Sequence, residues 1–288
     1  MARRAFRLAY DGTGYRGYQR QPHAETVENT LFAALSALDV TEVPDAPPDG
    51  YAAAGRTDAG VSAVRQTVSF DAPPWLTPAA LNGELPADVR AWASADVPDG
   101  FHAQYDARAR VYEYHLHAPR GGATHRGGDT TGTDGSEWTD RGLRRARDAL
   151  DRLSGRHDVH NLTPDDDGTE RDISAGCKRD GPFLVCRFEA GGFPREFVRR
   201  AVTLVERVAM GERDPSFVDR VLSAEPLSGP DGIGPAAPEP LLLCDVRYDV
   251  AFERDPAAVE SARSVFGTRR VERLTGARVA GRIGEEID

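Results

Sequence analysis

The chain has 288 residues and a mass of 31.2 kDa, which suits one large domain or two small ones built around a common sheet. Its three cysteines form no CxxC pair, so disulfide scaffolds and zinc fingers are disfavoured. No apolar run approaches the roughly 18 residues that a membrane-spanning helix needs, and the charged N-terminus has no apolar stretch typical of a signal peptide. We therefore expect a soluble protein of a reducing cytoplasm.

The charge balance is acidic and unusual in its basic residues. Asp and Glu number 46 against 36 Lys and Arg, for a formal net charge of −10, and Lys178 is the sole lysine. GC-rich codon usage favours Arg over Lys but does not by itself produce a surplus of Asp, whereas an acidic, lysine-poor surface stays hydrated in molar salt. We therefore expect a salt-adapted protein. Local charge still favours a polyanionic partner, because residues 1–20 and 141–156 each carry a net charge of +4.

The first hundred residues alternate predicted strands and helices. Strands are predicted at Arg4–Tyr10, Tyr51–Ala54, Val64–Phe70 and Val89–Asp96. Thr26 can cap a helix that runs to Leu38, because apolar residues recur at helical spacing behind it. A shorter helix is predicted at Pro78–Leu85.

The rest of the chain repeats this rhythm. Strands are predicted at Arg108–His117, Ile173–Lys178, Phe183–Glu189 and Leu241–Tyr248, and helices at Arg141–Leu153, at Glu196–Met210 and from Ser216 onward. Residues 120–136, which are rich in Gly and Thr, and the acidic residues 163–172 are predicted as exposed loops, the first of them flexible. The last forty residues alternate charged with small side chains, which is typical of a peripheral segment.

Two sets of strands, each interleaved with one or two helices, predict an α+β fold. The pattern favours two halves, each a split βαβ unit with mostly antiparallel pairing. The corresponding domains are residues 1–104, residues 105–250 and a peripheral C-terminal extension, residues 251–288.

The loop after the first strand contains a formal match to the dinucleotide-binding pattern GxGxxG, at Gly12, Gly14 and Gly17. That pattern requires a helix to open at once, so that its N-terminus can hold the pyrophosphate. Here polar residues and Pro22 follow instead. The loop is better suited to grip a phosphate backbone and to stack on bases. The residues that would do so are Tyr15, Arg16, Tyr18, Gln19 and Arg20.

Residues 54–66, AGRTDAGVSAVRQ, contain the strongest local signal. A strand of small residues ends at Gly55, and Gly60 permits a tight turn just beyond it. Arg56 and Asp58 are therefore presented on a loop at a strand end, where catalytic groups are often found. From propensity alone, a plain turn with a surface arginine explains these residues equally well.

Five segments in order resemble the tRNA pseudouridine synthase A family over roughly residues 4–248. GRTDAGVSAVRQ is similar to the family's signature and places Asp58 at its catalytic aspartate. YDGTGYRGYQRQ and GRHDVHNL resemble two further segments. FHAQYDARARVYEY places Tyr112 at the active-site tyrosine, and FPREFVRRAV places Arg199 at the arginine that accompanies the aspartate. Ser62 and Arg200 depart from the family's usual His and Asn, which concerns substrate details and not the chemistry.

The resemblance implies isomerisation of uridine to pseudouridine at positions 38 to 40 of the tRNA anticodon stem-loop. It implies a homodimer, with two halves that share a central antiparallel sheet and Asp58 in the cleft between them. Together with the acidic composition, it indicates a cytoplasmic enzyme of a salt-adapted archaeon. Neither a cofactor nor a metal is implied, because the reaction loses no group and changes no oxidation state. Arg56 and Gln66 would join the RNA-binding residues.

Pseudouridine formation breaks the N1–C1′ bond, turns the base and joins C5 to C1′. The resemblance makes Asp58 the nucleophile, with Arg199 compensating its charge in a water-poor pocket. Tyr112 would stack on the flipped uracil, and its hydroxyl would help to remove the proton at C5. Taken alone, Arg199 also suits a solvated helix face, and Tyr112 suits an ordinary strand face.

Two other classes of function stay open at this level. A non-catalytic RNA-binding module would keep the basic loops without needing Asp58 and Arg199 together. A retaining carbohydrate hydrolase could use a nucleophilic aspartate, but it needs a second carboxylate about 5 Å away. No such partner stands out in these segments.

Overall fold

The computed structural model describes residues 1–41, 43, 46–118, 138–227 and 229–287. The loop predicted at residues 120–136 lies outside them. The chain forms two compact units, Met1–Asp106 with Asp249–Asp288, and Ala107–Tyr248. The C-terminal segment, predicted as peripheral, thus belongs to the first unit. The division into functional domains at residues 1–104, 105–250 and 251–288 stays a prediction.

The elements follow one another in two similar runs. The strands are β1 (Ala2–Tyr10), β2 (Ala52–Ala53), β3 (Ser62–Ala72), β4 (Val89–Asp96), β5 (Ala109–His117), β6 (Gly155–Asp158), β7 (Glu170–Asp180), β8 (Phe183–Ala190), β9 (Leu241–Arg247) and β10 (Glu253–Arg254). The helices are α1 (Val27–Ala37), α2 (Pro78–Glu84), α3 (Asp140–Leu153), α4 (Phe197–Ala209), α5 (Phe217–Val221) and α6 (Pro256–Ile287).

In the first unit, β1 is the central strand and pairs antiparallel with both β3 and β4. β2 pairs with the far side of β3, and β10 pairs with the far side of β4. Phe6 and Phe70 stack across β1 and β3, with ring centroids 5.1 Å apart. The Thr26 hydroxyl accepts a hydrogen bond from the Asn29 amide and so caps α1 at its predicted start.

In the second unit, β5 pairs antiparallel with β8 and β9, and β7 joins β8 to the short β6. The core lies between this sheet and the helices, where Phe188 of β8 meets Phe197 of α4 edge-on at 6.3 Å. Glu196, directly before α4, has a left-handed backbone with φ of 60°. Both units therefore combine helices with antiparallel strands, and the predicted α+β class is confirmed.

Two elements differ from the prediction. Gly155–Asp158 forms β6 and pairs with residues 170–173, so the acidic segment predicted as a loop gives its last residues to β7. The C-terminal residues form the 32-residue helix α6. Neither element has a strong local sequence signal, because GRHD shows no apolar alternation and the glycines of α6 lower its helix propensity. Among the residues that the structure describes, no helix combines the length and the apolar character that crossing a bilayer requires.

Candidate active site

The loop that carries Asp58 joins β2 to β3 and packs against the loop that follows β1, here called the opening loop (residues 11–18). The Tyr18 amide donates to the Thr57 carbonyl oxygen at 3.0 Å, and the Gly60 amide donates to the Tyr15 carbonyl oxygen at 3.2 Å. One main-chain hydrogen bond on each side of Asp58 therefore fixes its backbone. The side chain of Asp58 is half-buried.

The glycines of the opening loop explain the formal GxGxxG match. A Cβ atom at Gly12 would overlap the carbonyl group of Val61. Gly17 has φ of 101°, and a Cβ atom there would lie 3.1 Å from the Thr57 carbonyl oxygen. These glycines therefore let the opening loop approach the Asp58 loop closely, which a side chain would prevent.

Thr57 and Gln66 stabilise the Asp58 loop through hydrogen bonds within the first unit. The Thr57 hydroxyl forms a 2.8 Å hydrogen bond with the Tyr10 hydroxyl. The Gln66 side-chain amide donates to the Gly55 carbonyl oxygen at 2.7 Å, and its oxygen accepts from the Thr67 amide at 3.0 Å. Since Gln66 is fully buried, the structure does not support its predicted contact with RNA; it supports the loop instead.

The two tyrosines predicted to stack on bases lie in the core. Tyr18 is fully buried and its hydroxyl contacts the Tyr51 hydroxyl at 2.7 Å, while Tyr15 is 5% exposed and donates to Asp88 at 2.8 Å. Burial raises the pKa of Tyr18 well above its usual range. As placed, neither ring is open to a base. Four predicted RNA-binding residues are exposed instead: Arg16, Gln19, Arg20 and Arg56.

Asp11 is a buried carboxylate that the sequence did not single out. It is 5% exposed and accepts hydrogen bonds from the Thr13 amide at 3.2 Å and hydroxyl at 2.8 Å. Arg269 and Arg273 of α6 form ion pairs with it at 3.1 and 2.5 Å. An Asp two residues before Thr in a glycine-rich turn is a capping signal that sequence reasoning could have found. Its arginine partners have no comparable signal, because they lie on α6, about 260 residues away.

In the second unit, Tyr112 lies on β5 as part of a row of aromatic rings. Its half-buried ring meets Phe193 edge-on at 5.6 Å, and Phe193 stacks on Phe197 at 5.6 Å with an interplanar angle of 10°. This row connects Tyr112 to the first residue of α4. Tyr114, two residues along the same strand, is buried, which raises its pKa to about 12 although the Arg199 charge acts in the opposite direction.

Arg199 lies two residues into α4 and is half-buried. Its Nε donates to the Ala236 carbonyl oxygen at 2.7 Å. The neighbouring Arg195 and Arg200 pair locally with Asp165 and Glu196. Arg199 is therefore not on a fully solvated helix face. Its pairing with Asp58 stays a prediction, because the two residues belong to different units.

Within the described ranges, no group of three or more His, Cys, Asp or Glu side chains is arranged to hold a metal ion.

Comparison with known proteins gives one consistent family. The family described as tRNA pseudouridine synthase matches residues 149–249. A tRNA pseudouridine synthase A from Natronomonas pharaonis is 61% identical over 96% of this chain and 97% of its own length. The protein of that name from Haloarcula marismortui is 55% identical over 99% of this chain and all of its own length. One from Methanocella arvoryzae is 35% identical over 90% of this chain and 89% of its own length.

The two most similar of these relatives come from halophilic archaea, in agreement with the acidic, arginine-rich composition. Identity of this degree over nearly the whole length of both chains shows a shared family. The chain therefore belongs to the tRNA pseudouridine synthase A family and is an isomerase.

Proposed function

We propose that this chain converts uridine to pseudouridine at positions 38 to 40 of the tRNA anticodon stem-loop, with Asp58 as the nucleophile. The observation that carries the proposal is the Asp58 loop itself. Its backbone is fixed on both sides of Asp58 by hydrogen bonds to the opening loop, and its side chain is half-buried. A nucleophile held this way needs little reorganisation when the substrate arrives.

The reaction balances without an external reactant. In the proposed reaction the Asp58 carboxylate bonds to C1′ as the N1–C1′ bond breaks. C1′ then joins C5 of the turned base as its bond to the carboxylate breaks. One proton leaves C5 and N1 gains one, so the net change is an isomerisation. We assign removal of the C5 proton to Tyr112 and the third catalytic position to Arg199, on the resemblance of their segments to the family.

The exposed side chains around the Asp58 loop support an RNA substrate. Arg16 and Arg56 are exposed on the two loops that pack together, and Arg20 is exposed two residues after the opening loop. Their guanidinium groups can bind phosphate oxygens through paired hydrogen bonds. We assign to Arg56 the phosphate of the target nucleotide or the space that the flipped base leaves.

We further propose that each unit is a split βαβ unit. The spatial strand orders support this: β4–β1–β3–β2 in the first unit and β9–β5–β8–β7 in the second, with every one of these pairs antiparallel. In both, two βαβ crossovers interleave so that each pair of parallel strands has one antiparallel strand between them. That the two halves share one sheet, with Asp58 in the cleft between them, stays a prediction.

We infer that the protein works in the cytoplasm as a homodimer. A chain with a net charge of −10 offers little positive surface for a whole tRNA, and two copies double what it has. Light scattering in molar KCl should give twice the chain mass of 31.2 kDa. A mass that stays at one chain at working concentrations contradicts the homodimer.

The decisive experiment incubates unmodified tRNA with the protein in molar KCl and maps pseudouridine by carbodiimide treatment and primer extension. The wild type should give stops at positions 38 to 40, and a tRNA with cytidines at those positions should give none. Asp58→Asn should still bind tRNA but form no product, because an amide of the same shape is a poor nucleophile. Glu84→Gln, which neutralises an exposed carboxylate of the same unit, should keep full activity.

Each competing function predicts a different result. A binding module would retain tRNA without any new stop, and a carbohydrate hydrolase would neither retain nor modify it. Turnover by Asp58→Asn within about tenfold of the wild type would contradict the assignment of the nucleophile.

A further inference from the structure

The carboxylate of Asp11 lies where β1 passes into the opening loop, and cations from the other end of the chain compensate it. Arg269 contacts it through Nη1 at 3.1 Å, and Arg273 contacts it through Nη2 at 2.5 Å and also donates to the Thr13 hydroxyl at 3.1 Å. Asp11 itself is 5% exposed, whereas the side chains of Arg269 and Arg273 are 35% and 57% exposed. Of these three charged groups, the Asp11 carboxylate is therefore the buried one.

α6 is held in place before it reaches Asp11. The Asp255 carboxylate, directly before the helix, accepts hydrogen bonds from the Ala258 amide at 3.1 Å and from the Ala79 amide of α2 at 3.0 Å. Ala258 is buried, whereas every described residue after Arg270 is exposed. The first half of α6 is thus anchored on the unit, and the helix presents two arginines, one turn apart, to Asp11.

Asp11 in turn is connected to the Asp58 loop through the opening loop. Its carboxylate caps the turn at Gly12–Gly14, and the Gly12 amide donates to the Ser62 hydroxyl at 3.0 Å at the start of β3. Directly after that turn, the Tyr15 carbonyl oxygen accepts a hydrogen bond from the Gly60 amide. A displacement of Asp11 would therefore move the same loop that fixes the backbone around Asp58.

Burial of a carboxylate without a cationic partner is unfavourable. Loss of Arg269 and Arg273 would therefore destabilise the turn that Asp11 caps. Burial alone would raise the pKa of Asp11, but hydrogen bonds from Thr13 and the nearby Arg273 more than offset this and lower it. The ionised form is thus the one the site accommodates, provided that α6 supplies its arginines.

We propose that Arg269 and Arg273 are positioning residues for the isomerisation: through Asp11 they hold the opening loop, and thereby the Asp58 loop, in its working geometry. The inference rests on the proposed function for its catalytic part and on the ion pairs alone for its structural part. It assigns to the C-terminal helix a role in the chemistry of a site formed some two hundred residues earlier in the chain.

The structural part is tested by amide hydrogen exchange on the full-length protein in molar KCl. Arg269→Gln/Arg273→Gln is compared with Arg270→Gln/Arg282→Gln, which removes the same charge from exposed positions of the same helix. We expect exchange in residues 12–18 and 57–61 to be at least about fivefold faster in the first variant only, with β5 and β8 unchanged. Equal exchange in both variants overturns the proposal, as does faster exchange spread evenly over the whole first unit.

The catalytic part is tested by steady-state kinetics. Arg269→Gln/Arg273→Gln should lower kcat by about tenfold or more and leave KM for tRNA within about twofold, because the loop geometry and not the RNA contact is lost. Adding Asp11→Asn should restore at least about threefold of kcat, since it removes the uncompensated charge. A change in KM alone, or no recovery with Asp11→Asn, overturns the positioning role. If the wild type makes no pseudouridine, the proposed function fails while the exchange result still decides the structural part.

Discussion

The thiol of Cys186 shows how burial of a single ionisable side chain affects stability. Cys186 is fully buried on β8, and desolvation raises its thiol pKa far above the usual range. In the unfolded chain the thiol ionises near pH 8.5. Above that pH the unfolded chain binds fewer protons than the folded one, so the free energy of unfolding falls as pH rises, by up to about 1.4 kcal/mol per pH unit for such a group.

We therefore predict that Tm falls more steeply between pH 8 and pH 9.5 in the wild type than in Cys186→Ala. Tyrosine ionisation in the unfolded chain contributes equally to both variants, so the difference between their slopes reports Cys186. The alanine variant should start with a lower Tm at pH 7, because a buried side chain has been shortened, so the slopes are compared and not the values. Parallel slopes in differential scanning calorimetry would contradict the prediction.

At this same scale the sequence indicates which residues belong to the site region but not which of them are accessible. Tyr15, Tyr18 and Gln66 lie in segments that resemble the family, yet all three point into the unit. Tyrosine and glutamine are compatible with either side of a loop, because a hydroxyl or amide can be satisfied by protein or by RNA. Only packing decides between the two, and packing is not local in sequence.

Among the elements, the contact between the opening loop and the Asp58 loop gives the sharpest test. Gly12→Ala should displace Val61 and with it the Asp58 loop, at a cost of about 1–3 kcal/mol in stability and with a large loss of kcat. Gly14→Ala, in the same turn, has no atom within 4 Å of the added Cβ. It should stay within about 0.5 kcal/mol of the wild type.

For both variants, urea unfolding measures the stability and initial rates measure the activity. Equal activity of the Gly12 and Gly14 variants would show that the Asp58 loop does not depend on this contact.

The elements themselves are predicted from sequence wherever local periodicity and packing agree. The strand over residues 4–10 and the helix capped by Thr26 appear as expected, because alternation and capping are local signals. β6 and α6 were missed for the opposite reason. β6 forms because β7 pairs with it, and α6 contacts the first unit through Ala258 and through Arg269 and Arg273. Tertiary contacts override weak propensity in both cases.

For the whole molecule, composition predicts the response to salt. Phosphate contacts usually weaken as ionic strength rises, because counterion release then contributes less. Here the net charge is −10 and nearly all positive charge is on arginine, whose paired hydrogen bonds to phosphate are directional. At about 1 M salt the Debye length is about 3 Å, so repulsion between the acidic surface and tRNA is screened.

We predict initial rates that rise with KCl up to the molar range. Circular dichroism recorded alongside separates unfolding from weaker binding. A steady fall in rate while the fold stays intact would refute adaptation to salt and leave the arginine bias to codon usage.

The discontinuous first unit also bears on how the protein is made. A ribosome releases residues 1–106 first, then the whole of the second unit, and only afterwards the stretch that contains Arg269 and Arg273. In the nascent first unit, Asp11 therefore lacks its cations until translation has passed Arg273. Termination between residues 249 and 268 would release a chain whose second unit is entire but whose Asp11 lacks both arginines. We expect proteases to cleave such a product more readily within residues 11–18, because that loop has lost the ion pairs that hold it.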